Sequence, residues 1–206
     1  MKCEAMAILF PGTFRLVGPD VDFAEIRDYL TKSFERLSVL QPEIVVFGSG
    51  SARNCPDGFC LDEAREQLIE VCRIVADAAA THNITIALEA LNFTETNMIN
   101  TILEANKVAK AVNCVNFRLT ADIYHMLMNG ESANDILQCQ ENLVHVHIAS
   151  KVGRNCPKLS EQEMFAPFFQ ALREIEYDKR VSIEGNVENF EQDLPEAFRL
   201  FRELSV

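Results

Sequence analysis

The chain has 206 residues, enough for one sizeable domain and thin for two, so residues 1–206 are read as a single domain. A hydrophobic fraction of 48% can offset chain entropy, which excludes disorder as the main state. With 19 Lys and Arg against 31 Asp and Glu the net charge is −12, which argues against a nucleic-acid partner, and no run approaches the roughly 20 apolar residues that a membrane helix needs.

The elements follow in chain order. Residues 5–10 (AMAILF) read as a strand. Asp22 precedes AEIRDYLTKSFERL, and Asp22 with Glu25 has capping-box spacing, so a helix is expected there. Ile44–Phe47 (IVVF) is the second strand. Leu61–Ala80 sets Ala64, Leu68, Val71, Cys72, Val75 and Ala79 on one helical stripe. Residues 84–88 (ITIAL) form a strand, 97–112 a helix, and 115–119 a strand. Asp122 has the chemistry to cap a helix over 123–128. Residues 144–148 (VHVHI) and Val181–Ile183 (VSI) are the last strands, with helices expected over 164–175 and 194–204.

The strands are brief, β-branched and almost continuously apolar, as strands covered on both faces are. Six of them alternating with helices imply parallel βα units with right-handed crossovers. An open doubly wound sheet and a (β/α) barrel both fit that order. No GxGxxG follows the first strand, as a dinucleotide-binding sheet would require. The nearest glycine-rich stretch, Gly48-Ser49-Gly50-Ser51, lacks the dinucleotide and P-loop patterns and reads better as a tight turn than as a phosphate loop.

The informative residues are polar groups at the ends of the later strands. ITIAL runs into Glu89, the next strand into Asp122 with His125 three residues on, VHVHI contains His145 and His147, and VSI runs into Glu184. Glu89, Asp122, His147 and Glu184 are separated by 33, 25 and 37 residues, each about one strand–helix unit. Successive parallel strands would deliver all four to one face, which in a barrel is the catalytic face. Three carboxylates and an imidazole at one mouth repel unless a cation neutralises them. An O/O/O/N donor set suits one divalent ion such as Mn, Mg, Co or Zn, with positions left open for substrate oxygens. Taken singly, each residue has a plainer reading: a strand-end Glu as a surface ion pair, Asp122 as a helix cap, a strand His as a packed ring, and His82 as a structural residue at a helix end.

The seven cysteines, Cys3, Cys55, Cys60, Cys72, Cys114, Cys139 and Cys156, show no CxxC pairing and are odd in number. They read as reduced thiols of a cytoplasmic protein, mostly small buried hydrophobes. The N-terminus, MKCEAMAILFPG, lacks the plan of a signal peptide.

In ALEALN with Glu89, TADIYH with Asp122 and His125, HVHIAS with His145 and His147, Gly153-Arg154, and SIEGN with Glu184, the chain resembles the sugar phosphate isomerase/epimerase families of the xylose isomerase-like TIM-barrel superfamily. Ketose 3-epimerases, hydroxypyruvate isomerase and inosose-processing enzymes belong to that group. Residues 47–59 (FGSGSARNCPDGF) are also similar to a segment that follows an early strand there. The resemblance implies an α/β fold of the parallel (β/α) TIM-barrel type, here incomplete with about six βα units, the first two being absent. It implies Glu89, Asp122, His147 and Glu184 as metal ligands, with Glu89 and Glu184 doubling as the acid/base pair. His125 and Arg154 would hold substrate oxygens, and His145 would touch substrate or a ligand residue. Arg53 and Arg154 would each be available to a phosphate.

The implied reaction is metal-dependent isomerisation or epimerisation of a ketose or related sugar, through proton transfer next to a carbonyl and a cis-enediolate. A truncated, non-catalytic metal- and sugar-binding homologue, and a lyase or dehydratase of the same superfamily, are the alternatives. A DNA-acting AP endonuclease of the superfamily would carry more histidines than the four here. The expected partner is a small-molecule sugar, with no nucleic acid and no membrane, and a homo-oligomer would bury the open side of the barrel. Ser150 stands three residues after His147, where the family often has an acid.

Overall fold

The computed structural model describes residues 3–205. Its strands are β1 (Ala5–Met6), β2 (Ile44–Phe47), β3 (Thr85–Glu89), β4 (Phe117–Asp122), β5 (Leu143–Ile148) and β6 (Val181–Ile183), paired in parallel in that order. The helices are α1 (Phe23–Leu37), α2 (Leu61–Ala80), α3 (Ile102–Val112), α4 (Ile123–Asn129), α5 (Asn134–Leu137), α6 (Gln162–Glu174) and α7 (Phe190–Leu204). This is an incomplete (β/α) barrel: a curled sheet with helices on its outer face.

Alternation of side chains along the strands divides the apolar groups. Val45, Phe47, Ile86, Leu88, Leu119, Val146 and Ile148 join the helices in one large core. Ile44, Val46 and Ala87 form a small second cluster with Ala5 and Val144 on the other face, the face that Glu89 shares. Among the described residues β1 and β6 do not pair. Arg180, just before β6, instead forms ion pairs with Glu4, just before β1, and with Glu43 at 3.0 Å, just before β2. The edge strands are thereby tied at their N-terminal ends. β6 is half-buried along its length, and Phe190 and Phe198 of α7 are exposed.

Four expected elements differ: the strand expected over 115–119 is Phe117–Asp122, the helix expected over 194–204 starts at Phe190, and two more depart further. The strand expected over 5–10 is only Ala5–Met6, because the chain leaves the sheet before Pro11 and Ile8 turns out to solvent. The helix expected over 97–112 begins at Ile102. Thr101 is its N-cap: the Thr101 hydroxyl accepts from the Glu104 amide, and Glu104 reaches back to the Thr101 amide. Residues 97–100 belong instead to the loop over the strand ends. Asp22 caps α1 through the amides of Ala24 and Glu25. All seven cysteines are free thiols, four of them buried. No helix among the described residues is long and apolar enough to cross a membrane.

Register is what builds the site. β4 and β5 slip at Leu119/Thr120, so that Leu119 faces Leu143 but Thr120 faces His145, leaving Val144 as an extra residue. The bulge turns His145 and His147 onto the interior face and sets Asp122 opposite His147. Without it Asp122 would face Val146, and His147 would point into the helices.

Candidate metal centre

Glu89 ends β3, Asp122 ends β4, His147 lies one residue from the end of β5, and Glu184 follows β6. One ligand atom from each lies within 4.8 Å of all the others. His147 Nδ1 is 2.8 Å from Glu89 Oε1, 3.1 Å from Glu184 Oε2 and 4.0 Å from Asp122 Oδ2. Glu89, Asp122 and His147 are buried and Glu184 is half-buried at the rim.

Asp122 reconciles the two readings of its carboxylate. Oδ1 accepts from the amides of Tyr124 (2.8 Å) and His125 (3.3 Å) and so caps α4. Oδ2 is buried with no hydrogen-bond partner and faces the other three groups. An orphaned carboxylate oxygen inside an O/O/O/N set is the arrangement a divalent cation satisfies, so the residues fit the metal that the sequence implies.

Electrostatics agree with that fit. Burial pushes the Asp122 acid well above its usual range, and the neighbouring Glu89 adds to this. Burial also works to raise Glu184, but its hydrogen bond to His147 and the Arg154 guanidinium hold it below the usual carboxylate range. For His147 burial works downward, yet hydrogen bonds to Glu184 and Glu89 win and raise it.

Arg154 follows Gly153 in a turn where both residues have positive φ, 72° and 51°. The turn aims the guanidinium back over the site. Its Nη2 donates to Glu184 Oε2 at 2.6 Å, Nε to the Glu184 carbonyl at 3.3 Å, and the head lies 4.9 Å from the centre of the Tyr124 ring. Asp122 and Glu95 carboxylates each stand 3.6 Å away. Gly185 permits this approach: a Cβ there would meet the Arg154 and Asn155 carbonyls at 2.9 and 2.8 Å.

His125 is buried, and its Nδ1 accepts from the Asn92 amide at 3.1 Å. That assigns the ring proton to Nε2, which has no partner and lies 3.6 Å from Asp122 Oδ2. Burial drives the ring pKa down to about 3, so His125 is a neutral donor beside the site. His145 stands beneath His147, ring centres 4.9 Å apart, fully buried with neither nitrogen partnered. Burial lowers its pKa to about 4.

A cavity of about 490 Å³ opens over the centre. Glu89, Glu184 and Arg154 reach it, together with Glu95 and the 48–51 turn. His125 and His145 are not among its lining residues. The turn leads into a short 3₁₀ segment, Gly50–Arg53, and at its N-cap the Ser49 hydroxyl accepts from the Phe10 amide. Arg53 corrects an expectation: it is fully buried and bonded to main-chain carbonyls, so it does not present itself to a phosphate. Glu95 and Tyr124 escaped the sequence reading, since neither ends a strand; Glu95 carried one signal, an acid in the loop directly after Glu89. Ser150 donates to Glu161 Oε2 at 2.6 Å and so recruits a carboxylate from the following loop.

Comparison with known proteins agrees with this geometry. Residues 4–204 match the family model described as xylose isomerase-like TIM barrel. Over 124 residues the chain is 34% identical to L-ribulose 3-epimerase of Methylomonas sp., covering 60% of this chain and 43% of that protein. It is 26% identical over 132 residues to Escherichia coli hydroxypyruvate isomerase, covering 63% of this chain and 51% of that one. The chain thus spans about half the length of these relatives or less. Among solved structures, D-allulose 3-epimerase from Methylomonas sp. superposes with a TM-score of 0.74 at 27% identity, over 91% of this chain and 66% of that one. The match of residues 4–204 to that family model makes this chain a member of the xylose isomerase-like TIM-barrel family.

Proposed function

We propose that the protein is a divalent-metal-dependent isomerase or epimerase of a ketose or related sugar, within a single domain over residues 1–206. The observation that carries this reading is the buried Asp122 Oδ2, unpartnered among Glu89, His147 and Glu184. The relatives' epimerase and isomerase names support the reaction class.

Glu89, Asp122, His147 and Glu184 would hold the ion. A bound divalent cation of the Mn, Mg, Co or Zn type supplies polarisation of the sugar's carbonyl and adjacent hydroxyl, acidifying the neighbouring C–H. The chain's own groups do the rest. Glu89 and Glu184 both reach the cavity, from strands that flank it at different sites in the sheet. One carboxylate takes the proton from the carbon next to the carbonyl, giving a cis-enediolate, and the other returns a proton. Return to the opposite face gives an epimer, and return to the neighbouring carbon gives an isomer. Arg154 holds Glu184 by its guanidinium fork and offers N–H donors to a substrate oxygen. His125 stands behind the cavity lining with a buried, unpartnered Nε2–H 3.6 Å from Asp122 Oδ2, and so would act on substrate only through Asp122. The neutral state of the ring suits donation without adding charge. His145 supports the ring of His147 from below.

The test is metal content by elemental analysis of the purified chain, followed by a ketose panel assayed with the Mn-loaded protein. About one metal per chain, with turnover lost in Glu184→Gln, is the expected result. Metal uptake without turnover of any ketose would leave a metal- and sugar-binding homologue; release of water from a polyol ketone would make it a dehydratase. No metal uptake overturns the reading.

A further inference from the structure

Arg53 is fully buried, and its two hydrogen bonds go to backbone rather than to any carboxylate. Nη1 donates to the Glu89 carbonyl at 2.9 Å and Nη2 to the Ile99 carbonyl at 3.2 Å. Nε is buried with no partner. A buried arginine with an unused donor is a poor stabiliser, since an apolar side chain of similar volume would commonly serve as well. Its presence is better explained by where it holds the chain.

What it holds is unusual. Ile99 has φ of 58°, a left-handed conformation that a β-branched residue rarely adopts. Such strain persists only where the surroundings over-determine it, and it gathers at functional sites. The Ile99 carbonyl accepts from Arg53 and from the Leu91 amide at 3.2 Å, so both ends of the 91–99 loop meet at one oxygen. The segment after Arg53 stitches the same loop. Asn54 Oδ1 accepts from the Asn97 amide at 3.2 Å, and Asn97 bonds both the amide and the carbonyl of Cys55 at 2.9 Å. That loop carries Glu95, which faces Arg154, and Asn92, whose amide fixes the His125 ring. Burial lowers the Arg53 pKa to about 10, opposed by Glu89, so the group is a cation at neutral pH.

We infer that Arg53 is a positioning residue: its guanidinium ties the backbone of Glu89 to that of Ile99 and so fixes where the Glu89 carboxylate and the Glu95 loop stand. The two carbonyls need a planar fork, and a lysine ammonium at the same depth reaches one of them. This rests on reading Glu89 as a metal ligand, and the test separates the two.

Mn titration of the full chain and amide hydrogen exchange are compared between the wild type and Arg53→Lys. The expected result is Mn affinity reduced by about tenfold or more. Protection of the Leu91 amide should fall in the metal-free protein, while amides of α6 keep theirs. Asn97→Ala, which cuts a neighbouring stitch without touching Glu89, is expected to loosen the loop and leave Mn affinity within about twofold of wild type. Arg53→Lys with wild-type affinity and wild-type Leu91 protection overturns the proposal. The exchange measurement needs no metal, so a wild type that takes up no Mn would sink the reading of the centre while Leu91 still reports on the clamp. Should Arg53→Lys fail to fold, nitrogen-15 spectra of the wild-type guanidinium decide. Separate, slowly rotating Nη signals are expected, and a freely rotating group would overturn it.

Discussion

A Cβ on Gly48 would stand 2.5 Å from Glu89 Oε2. Gly48 follows β2, whose last residue, Phe47, pairs with Leu88, so Gly48 lies beside Glu89 across the sheet. Only a residue without a side chain leaves the carboxylate its place. Gly48→Ala is therefore expected to displace Glu89 rather than the backbone, because the clash is with the end of a side chain. Mn affinity should fall by about tenfold or more. The thermal midpoint should move only a few degrees, as about 1 kcal/mol of repacking does in a chain of this size. Calorimetric titration beside a thermal melt checks both, and unchanged affinity would mean that Glu89 has room the geometry does not give it.

The two oxygens of Asp122 have separable jobs, and Asp122→Asn separates them. Asparagine caps a helix as well as aspartate does, so the Tyr124 and His125 amides keep their acceptor. The orphaned oxygen loses its charge. The metal-free variant should melt no lower than wild type, because a buried acid crowded by Glu89 has been neutralised. Metal at a hundred times the dissociation constant should stabilise the wild type by about 2.7 kcal/mol, and this gain should vanish in the variant. Melts with and without added Mn, and after chelation, read both effects. A variant that still gains stability from metal would remove Asp122 from the ligand set.

Much of this molecule was legible in its sequence, for reasons that also mark where legibility stopped. The strand cores and the stripe of Leu61–Ala80 follow from short-range periodicity, which one chain displays in full. Glu89, Asp122, His147 and Glu184 stood out because parallel strands deliver their ends to one face. Three features escaped that reading. The bulge at Leu119/Thr120 is a slip between strands, and neither strand alone records it. The start of α3 at Ile102 was hidden by apolar residues at 98 and 99 that fit the helical period, although the Thr101–Glu104 pair marked the true cap. Arg53 looked like any surface arginine, and only its depth and its two carbonyl partners reveal its use.

Arg154 holds Glu184 at two points, the carboxylate and the main-chain carbonyl, and lies against the Tyr124 ring. A lysine there keeps the charge but loses the fork and the stacking face. Arg154→Lys is expected to lower kcat/KM for whichever ketose the Mn-loaded protein turns over by about tenfold to a hundredfold. Mn affinity should change less than in Asp122→Asn, since no ligand atom is removed. Steady-state kinetics beside a metal titration distinguish these effects. Wild-type kcat/KM in the variant would leave Arg154 as a surface partner of Glu184 and no more.

Glu131 offers a pH test remote from the metal centre. Its Oε2 accepts from the Ile102 amide at 2.8 Å, at the start of α3, while Oε1 is buried without a partner. Burial pushes its acid up to about 7, the hydrogen bond from Ile102 pulls the other way, and the charges of Asp135 and Glu104 add to the rise. The folded chain therefore holds a proton that the unfolded chain has released between about pH 4.5 and 7. This contribution to stability is fully present below the unfolded value, declines as pH rises through that window and is lost above the folded value. Partial exposure limits it to about 1–2 kcal/mol. Glu131→Gln keeps an acceptor for Ile102 and carries no charge. It should melt like wild type near pH 4.5, stand above it at pH 8, and lose the slope between; parallel curves for the two proteins would place the proton elsewhere.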